Sequence, residues 1–485
     1  MNTLILKPKK KAMFLEFNKY TKEEMRQFER FVRSSYFNAN EKLENLFYYL
    51  KSYYPNITED EVKPSIIWAA ATKGEEYKYT NYRKLVSDFT DLVERFFVQN
   101  EFDMDKEYKK IMLLRNLRKR KIRKRFDKTY AELMNEMNSQ FSKDGDYYFR
   151  KSLVISEKFQ YDFGKIKHEY SPLLQEQSDN IDYLILFEKL HMFHQMFQSK
   201  QNSTDRKNYK QIWYEEILRT VEESLAVIEK EHPNIYIIYL VLRMLRDNDD
   251  KIMKELKSYL NRVGSKFPPS KLGYYYEYLT SYCVKKYNKG DIIYRKKALE
   301  LYKEMDKMGI FLIDNMIIDS DFNNVVNLSL AEGNLKFAEE FMEKYKNYID
   351  EDFANSAYSL ARAKLLFNRK EFDRMFDLLN NVEYKDPLYY INSKFLIARA
   401  HIDTKNIISA KYIYESLKQY KRSNNRLSED HKSSLTMFLK YFTHTLKIND
   451  SQGPGKLKLK KIALASLEAE KQVVPTKSWF KEKFS

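Results

Sequence analysis

The chain predicts an all-α protein, an N-terminal helical bundle followed by an α-solenoid of helix pairs. Three observations carry this. Glycine and proline number only 10 each in 485 residues, too few for a fold with many tight turns. Apolar residues recur at three, four and seven behind capping residues. Beyond residue 145, helix-breaking signals return roughly every 30 to 40 residues, the spacing of helix pairs.

The first hundred residues read as four helices. Thr21 and Glu24 form a capping box ahead of Met25, Phe28, Phe31 and Val32. Asn40 caps a helix carrying Leu43, Leu46, Phe47 and Leu50, and Tyr53-Tyr54-Pro55-Asn56 ends it. Thr58 and Glu61 make a second capping box, leading to Val62, Ile66, Ile67 and Ala70. Thr80 or Asn81 starts the fourth helix, with Leu85, Phe89, Leu92, Val93 and Phe96 on one side. Residues 1–105 therefore form a bundle.

Residues 106–140 predict one long connecting helix. Its apolar seam is Ile111, Leu114 and Leu117, then Ile122, Phe126, Leu133 and Met137. The second half is rotated by about 100° from the first. Arg118-Lys119-Arg120-Lys121 sits at the change, where the helix is kinked or bare of packing. Both options expose the basic run.

Residues 141–270 continue as divergent helix pairs, with breaks at Ser171-Pro172, Gln201-Asn202-Ser203, His232-Pro233-Asn234, Asp247-Asn248-Asp249-Asp250 and Pro268-Pro269. Residues 271–446 carry a weak repeat. Ala298, Ala338, Met375 and Ala410 take matching places at steps of 40, 37 and 35 residues. Three are preceded by helices ending Leu328-Ser329-Leu330-Ala331, Leu360-Ala361-Arg362-Ala363 and Ile397-Ala398-Arg399-Ala400. Small residues there permit close helix approach. Asn449-Asp450-Ser451-Gln452-Gly453-Pro454-Gly455-Lys456 reads as a linker, 447–456. Capping helices follow over 457–485.

The repeat resembles the tetratricopeptide-like superfamily. Gly333-Asn334-Leu335 with Ala338 fits its turn-and-small-residue pattern best; Met375 departs from the small residue, and the turn glycine is missing in later units. The resemblance implies a protein-interaction superhelix, without catalysis and without naming a ligand. The stretch Phe28-Glu29-Arg30-Phe31-Val32-Arg33-Ser34-Ser35-Tyr36-Phe37-Asn38, with Leu43 to Pro55, resembles the opening of a group of bacterial helical-repeat proteins of unassigned activity. That likeness supports the architecture alone.

Charge is concentrated. Formal net charge is +17. Residues 106–130 hold twelve Lys/Arg and two acids, a net of +10. The candidate polyanion-binding residues are Arg115, Arg118, Lys119, Arg120, Lys121, Arg123, Lys124 and Arg125. Their guanidinium groups suit bidentate phosphate contacts and their density suits counterion release. The competing reading is a solvated face, or one neutralised by acids from other segments. Where those acids lie decides between the two.

Other motifs favour structural roles. Glu188-Lys189-Leu190-His191 is a Glu-x-x-His, the pair that di-iron bundles use together with two further glutamates, and it reads as a helix-surface or core histidine. Tyr274-Tyr275-Tyr276-Glu277-Tyr278 reads as packing before it reads as a stacking platform. The one cysteine, Cys283, excludes an intrachain disulfide and fits a cytoplasmic setting. No secretory signal or membrane-length apolar run is apparent, so no transmembrane segment is expected. Phosphate loops, nucleophile elbows and zinc clusters are absent, so neither enzyme activity nor a cofactor is expected. The leading expectation is a non-catalytic scaffold or adaptor. It would bind a protein or peptide through the concave helical-repeat surface near residues 320–400, using polar and aromatic residues on the first helices. The alternative is a nucleic-acid-binding or regulatory protein contacting phosphates through 106–130.

Overall fold

A computed structural model describes residues 9–163, 172–202, 209–313, 315–424 and 427–485. The described residues form 24 α-helices and no strand; the only extended pairing is an isolated bridge between Ile313 and Met316. No described helix is long and apolar enough to cross a membrane. The chain divides into two compact units, Met1–Ser139 with Phe149–Asn180, and Gln140–Tyr148 with Ile181–Ser485.

The first unit opens with α1 (Lys9–Glu16), α2 (Lys22–Val32), α3 (Glu41–Tyr53), α4 (Pro64–Thr72) and α5 (Tyr79–Met104). The Thr21–Glu24 box forms as expected, with Glu24 N–H donating to Thr21 Oγ1 at 3.1 Å and Thr21 N–H to Glu24 Oε2 at 2.7 Å. Asn40 caps α3. Phe14, Phe17, Phe28, Phe47 and Phe89 fill the centre, with Phe28 edge-on to Phe47 at 5.3 Å. These rings pack with Leu43, Leu46, Leu50, Val86 and Leu92 into one core.

Two details depart from expectation. Thr58 and Glu61 close a turn instead of starting a helix. Pro64 holds the first helical turn of α4, and it pushes Lys63 into extended backbone (φ −65°, ψ 141°). Helix α5 starts at Tyr79, with Lys78 at the cap, so neither Thr80 nor Asn81 caps it.

The long connecting helix over 106–140 is not one helix. It is a hairpin of α6 (Lys106–Lys119) and α7 (Arg123–Ser139), which pack on each other. Lys121 takes the left-handed conformation (φ 55°). Its N–H donates to Arg118 O, and Ile122 N–H reaches back to Leu117 O, both at 3.0 Å. This is the Schellman ending of a helix. The rotated seam now has its cause. Ile111, Leu114 and Leu117 face inward from one arm, Phe126, Leu133 and Met137 from the other, and Ile122 sits exposed at the turn. Helix α8 (Gly145–Asp162) and α9 (Pro172–Asn202) follow. Ser171 and Ser203, two of the expected break positions, lie outside the described residues.

The second unit continues with α10 (Tyr214–Glu223), α11 (Leu225–Glu231), α12 (Pro233–Asp247) and α13 (Asp250–Val263). Then come α14 (Pro269–Asn288) with α15 (Ile293–Met308), and α16 (Asp319–Ala331) with α17 (Leu335–Tyr345). Next are α18 (Ala354–Asn368) with α19 (Phe372–Asn380), and α20 (Pro387–Asp403) with α21 (Ile407–Ser423). The chain ends in α22 (Glu429–Asn449), α23 (Gly453–Ala469) and α24 (Lys477–Phe484). Each named pair packs together, and α16, α18, α20 and α22 also pack in succession.

The four matched positions share one setting. Ala298, Ala338, Met375 and Ala410 all lie on second helices and are fully buried. The turns repeat as well. Gly290, Gly333, Lys370 and Lys405 are left-handed at φ 105°, 74°, 61° and 62°, each with the paired hydrogen bonds of a Schellman ending. Two of these left-handed positions are lysine and two are glycine. Inside α14, Gly273 meets the carbonyl of Ile310 so closely that a Cβ would sit 2.2 Å from its oxygen. The expected linker 447–456 is mostly helical. Helix α22 runs to Asn449 and α23 starts at Gly453, leaving three residues between them. Pro454 stands in the first turn of α23, where its fixed φ favours a helix start.

Candidate functional site

The basic hairpin divides into two parts. Arg115 Nε and Arg118 Nε both donate to Glu157 of α8, at 2.7 and 2.6 Å, and that carboxylate is buried. Lys110 pairs with Glu136. One end of the patch is therefore neutralised by acids from other helices, and Arg115 and Arg118 hold α8 to α6. The other end is open. Lys119, Arg120, Lys121, Arg123, Lys124 and Arg125 are all exposed. Arg120 donates to Asn116 Oδ1 at 2.6 Å, and Arg123 reaches Asp127 only at 3.9 Å. Lys119, Lys121, Lys124 and Arg125 have no ion pair among the described residues. Lys7 lies outside the described residues, as do the side chains of Lys9, Lys10 and Lys11.

The second unit carries a cleft on the first helices. One part, about 450 Å³, is lined by Asp319, Asn323 and Asn327 of α16, Leu360 and Lys364 of α18, and Tyr389 and Asn392 of α20. The adjoining part, about 780 Å³, takes in Phe367, Asn368, Phe395, Arg399, Thr476 and Ser478. Asn327, Lys364, Leu388 and Asn392 line both, so the cleft is continuous. Asp319, Asn323, Asn327 and Ala331 recur every four residues, so the cleft follows the helix axis. At 1.5 Å per residue it runs for about 18 Å.

Its two ends differ in charge. At the helix N-termini, burial and then the neighbouring Asp350 and Asp386 raise the Asp319 carboxyl above its ordinary range. Asp386 also caps α20, accepting from Leu388 N–H at 2.6 Å. Toward the helix C-termini stand two cations. Lys364 donates to Asn327 Oδ1 at 2.9 Å. Burial, then the charge of Arg399, lowers its ammonium to about 8. The Arg399 guanidinium lies 4.5 Å from the Phe367 ring and 5.5 Å from that of Trp479, and burial lowers it to about 10.

Sequence reasoning expected a binding surface near 320–400 on the first helices and named Ala331, Leu360 and Arg399 only within helix endings, not as lining it. The signal was a charged residue beside small ones, Ala363-Lys364 and Ala398-Arg399-Ala400. Small neighbours let the helices close up and leave the long cation to the cleft.

The other motifs resolve into packing. Tyr275, Tyr276 and Tyr278 are buried, with Tyr274 at their edge. His194 is buried edge-on to Tyr278 at 4.7 Å, and burial lowers its imidazole to about 4. Burial pushes the Cys283 thiol up to about 12, far from a thiolate nucleophile. Among the described residues no group of His, Cys, Asp and Glu is placed to hold a metal ion. No family model, curated protein or solved structure matches this chain.

Proposed function

We propose that the protein is a non-catalytic adaptor holding an extended segment of a protein or peptide partner along α16, α18 and α20. The continuous 18 Å cleft carries this reading. It is walled by Asn323, Asn327, Asn368 and Asn392, whose amides suit peptide backbone, and by Tyr389, Phe367 and Phe395 for side chains. An extended chain rises about 3.3 Å per residue, so the cleft accommodates about five residues. The tetratricopeptide-like pattern, with small residues on second helices and a shared turn, points to an α-solenoid and to the same use. Site-directed crosslinking tests it. A photoreactive phenylalanine at position 392 joins a bound polypeptide, while one at the exposed Tyr412 position of α21 does not. Equal yields at both positions contradict the reading.

A second reading rests on the open end of the basic hairpin, where six exposed cations flank Ile122 and no acid from another helix pairs with them among the described residues. It is polyanion binding through phosphates, without base readout. Anisotropy of labelled duplex DNA and single-stranded RNA over a salt series tests it. Arg120, Arg123 and Arg125 replaced together by Glu abolish binding if the hairpin is the contact. Unchanged binding by that variant removes this reading.

A further inference from the structure

We infer that the tip of the basic hairpin docks on an anionic phospholipid surface, with Ile122 entering the headgroup layer and the cations around it meeting the lipid phosphates and carboxylates. The inference rests on the polyanion reading above and names its partner.

The turn between α6 and α7 presents seven consecutive exposed residues, Lys119 to Arg125, and Ile122 is the one that is not a cation. Its side chain stands 45 % exposed at the apex. An aliphatic group there is unfavourable in water and favourable against lipid. Its backbone suits a medium poorer in water. Ile122 N–H donates to Leu117 O at 3.0 Å, and its carbonyl accepts from Phe126 N–H at 3.1 Å. No polar group of this residue is therefore left to desolvate without a partner. The flanking Lys and Arg side chains have long apolar stems, which lie along the acyl boundary while their charges reach the headgroups.

The placement of charge points the same way. Arg123, Lys124 and Arg125 fill the first turn of α7, which holds no acid. A helix N-terminus favours acids and disfavours cations, so these residues work against the helix they start. The first N–H groups of that helix lack intrahelical acceptors and add to the positive potential. An anionic surface offsets both. Glu157 covers Arg115 and Arg118, and Glu136 pairs with Lys110. The neutralised end therefore stops one residue short of the exposed run.

Nucleic acid is the competing polyanion. A single-strand site adds aromatic side chains on which bases stack. A base-reading site adds amides or hydroxyls for base edges. Lys119 to Arg125 contain none of these. Ile122 has no role against a phosphate backbone. At a bilayer it adds an apolar anchor to electrostatic attraction, the two signals that surface binding combines.

The test uses the full chain and sedimentation with vesicles of phosphatidylcholine, alone or with about 30 % phosphatidylserine. The protein sediments with the anionic vesicles and not with the neutral ones, and binding weakens at least about tenfold between about 50 and 300 mM salt. Ile122→Ser, at an exposed position, weakens vesicle binding at least about threefold and leaves binding of labelled duplex DNA unchanged. The Arg120/Arg123/Arg125→Glu variant loses vesicle binding. Glutamate suits the start of α7, so this variant keeps its helicity, which circular dichroism checks. A second readout reports on the apex directly. Ile122→Cys carrying an environment-sensitive fluorophore shifts to shorter wavelength on anionic vesicles, while the buried Cys283 stays unlabelled. If Ile122→Ser binds anionic vesicles as wild type does, or the fluorophore does not shift, the inference falls and the polyanion reading stands. Duplex binding without vesicle binding overturns the lipid assignment and leaves nucleic acid as the polyanion. No binding to vesicles or duplex at low salt removes the inference and the polyanion reading together.

Discussion

Gly333 and Lys370 close the same turn in successive helix pairs. Both are left-handed, at φ 74° and 61°. In each, the residue after the turn donates back to a carbonyl of the first helix, Asn334 to Ser329 at 2.8 Å and Glu371 to Leu366 at 2.9 Å. A lysine in this conformation carries strain that glycine does not. Lys370→Gly and Lys405→Gly are therefore expected to stabilise the chain by about 0.5–1 kcal/mol each, read as raised denaturation midpoints. A loss of stability in both would show that the shared turn is not what closes these pairs.

Close approach sets the second expectation. Ala338 and Ala410 are fully buried on α17 and α21. Leucine at either position overfills the contact with the first helix, at a cost of about 1–3 kcal/mol. Gly273→Ala meets backbone instead of a movable side chain, so α14 must shift and the cost lies toward the upper end of that range. Urea unfolding of each variant checks this; a neutral Ala338→Leu would mean the helices are not held that close.

The Glu157 carboxylate couples α8 to the basic hairpin. Glu157→Gln leaves Arg115 and Arg118 without their anion and is expected to destabilise the chain by about 1–3 kcal/mol. It also releases two guanidinium groups beside the exposed turn. If the hairpin binds polyanions, the same variant binds labelled duplex more tightly and with a steeper salt slope. Destabilisation without any change in binding would assign Arg115 and Arg118 to structure alone.

Buried acids give a pH dependence. Burial, then Asp321, raises the Glu277 carboxyl to about 7. Burial raises Asp321 to about 6, against a lowering hydrogen bond from Tyr302 at 2.7 Å. A raised carboxyl binds its proton more tightly in the fold, so the native state holds more protons than the unfolded chain between about pH 4 and 7. Its contribution is complete below that window and is lost as pH rises through it. His194, with its lowered imidazole, acts in the opposite sense. The comparison is therefore wild type against Glu277→Gln. From pH 5 to 8, the wild-type Tm falls by about 1–2 °C more than that of the variant, which is what a loss of about 1–2 kcal/mol produces in a chain of 485 residues. Parallel Tm curves would mean that Glu277 titrates in the ordinary range.

The all-helical class was legible because it rests on local periodicity and capping. The Thr21–Glu24 box and Asn40 needed no distant partner to be read. The break at Lys121 was not legible as a turn, since nothing in Arg-Lys-Arg-Lys supplies a glycine or proline. Only the rotated seam betrayed it. Thr58 and Glu61 had the right spacing for a cap, yet Pro64 determined where the helix begins. The cleft was legible only as a region. Lys364, Arg399 and Thr476 come from three segments, successive ones 35 and 77 residues apart, and no spacing rule joins them. The charge run drew attention to 106–130, although half of its strongest candidates serve Glu157 or their own helix.

The central claim is that recognition resides in the cleft along α16, α18 and α20. The most direct measurement is anisotropy of a labelled library of five-residue peptides with three proteins: wild type, Asn392→Trp, and the Arg120/Arg123/Arg125→Glu variant of the hairpin. The account predicts binding by wild type, at least about tenfold weakening in Asn392→Trp, and no change in the hairpin variant. Binding that survives Asn392→Trp and disappears in the hairpin variant would contradict it.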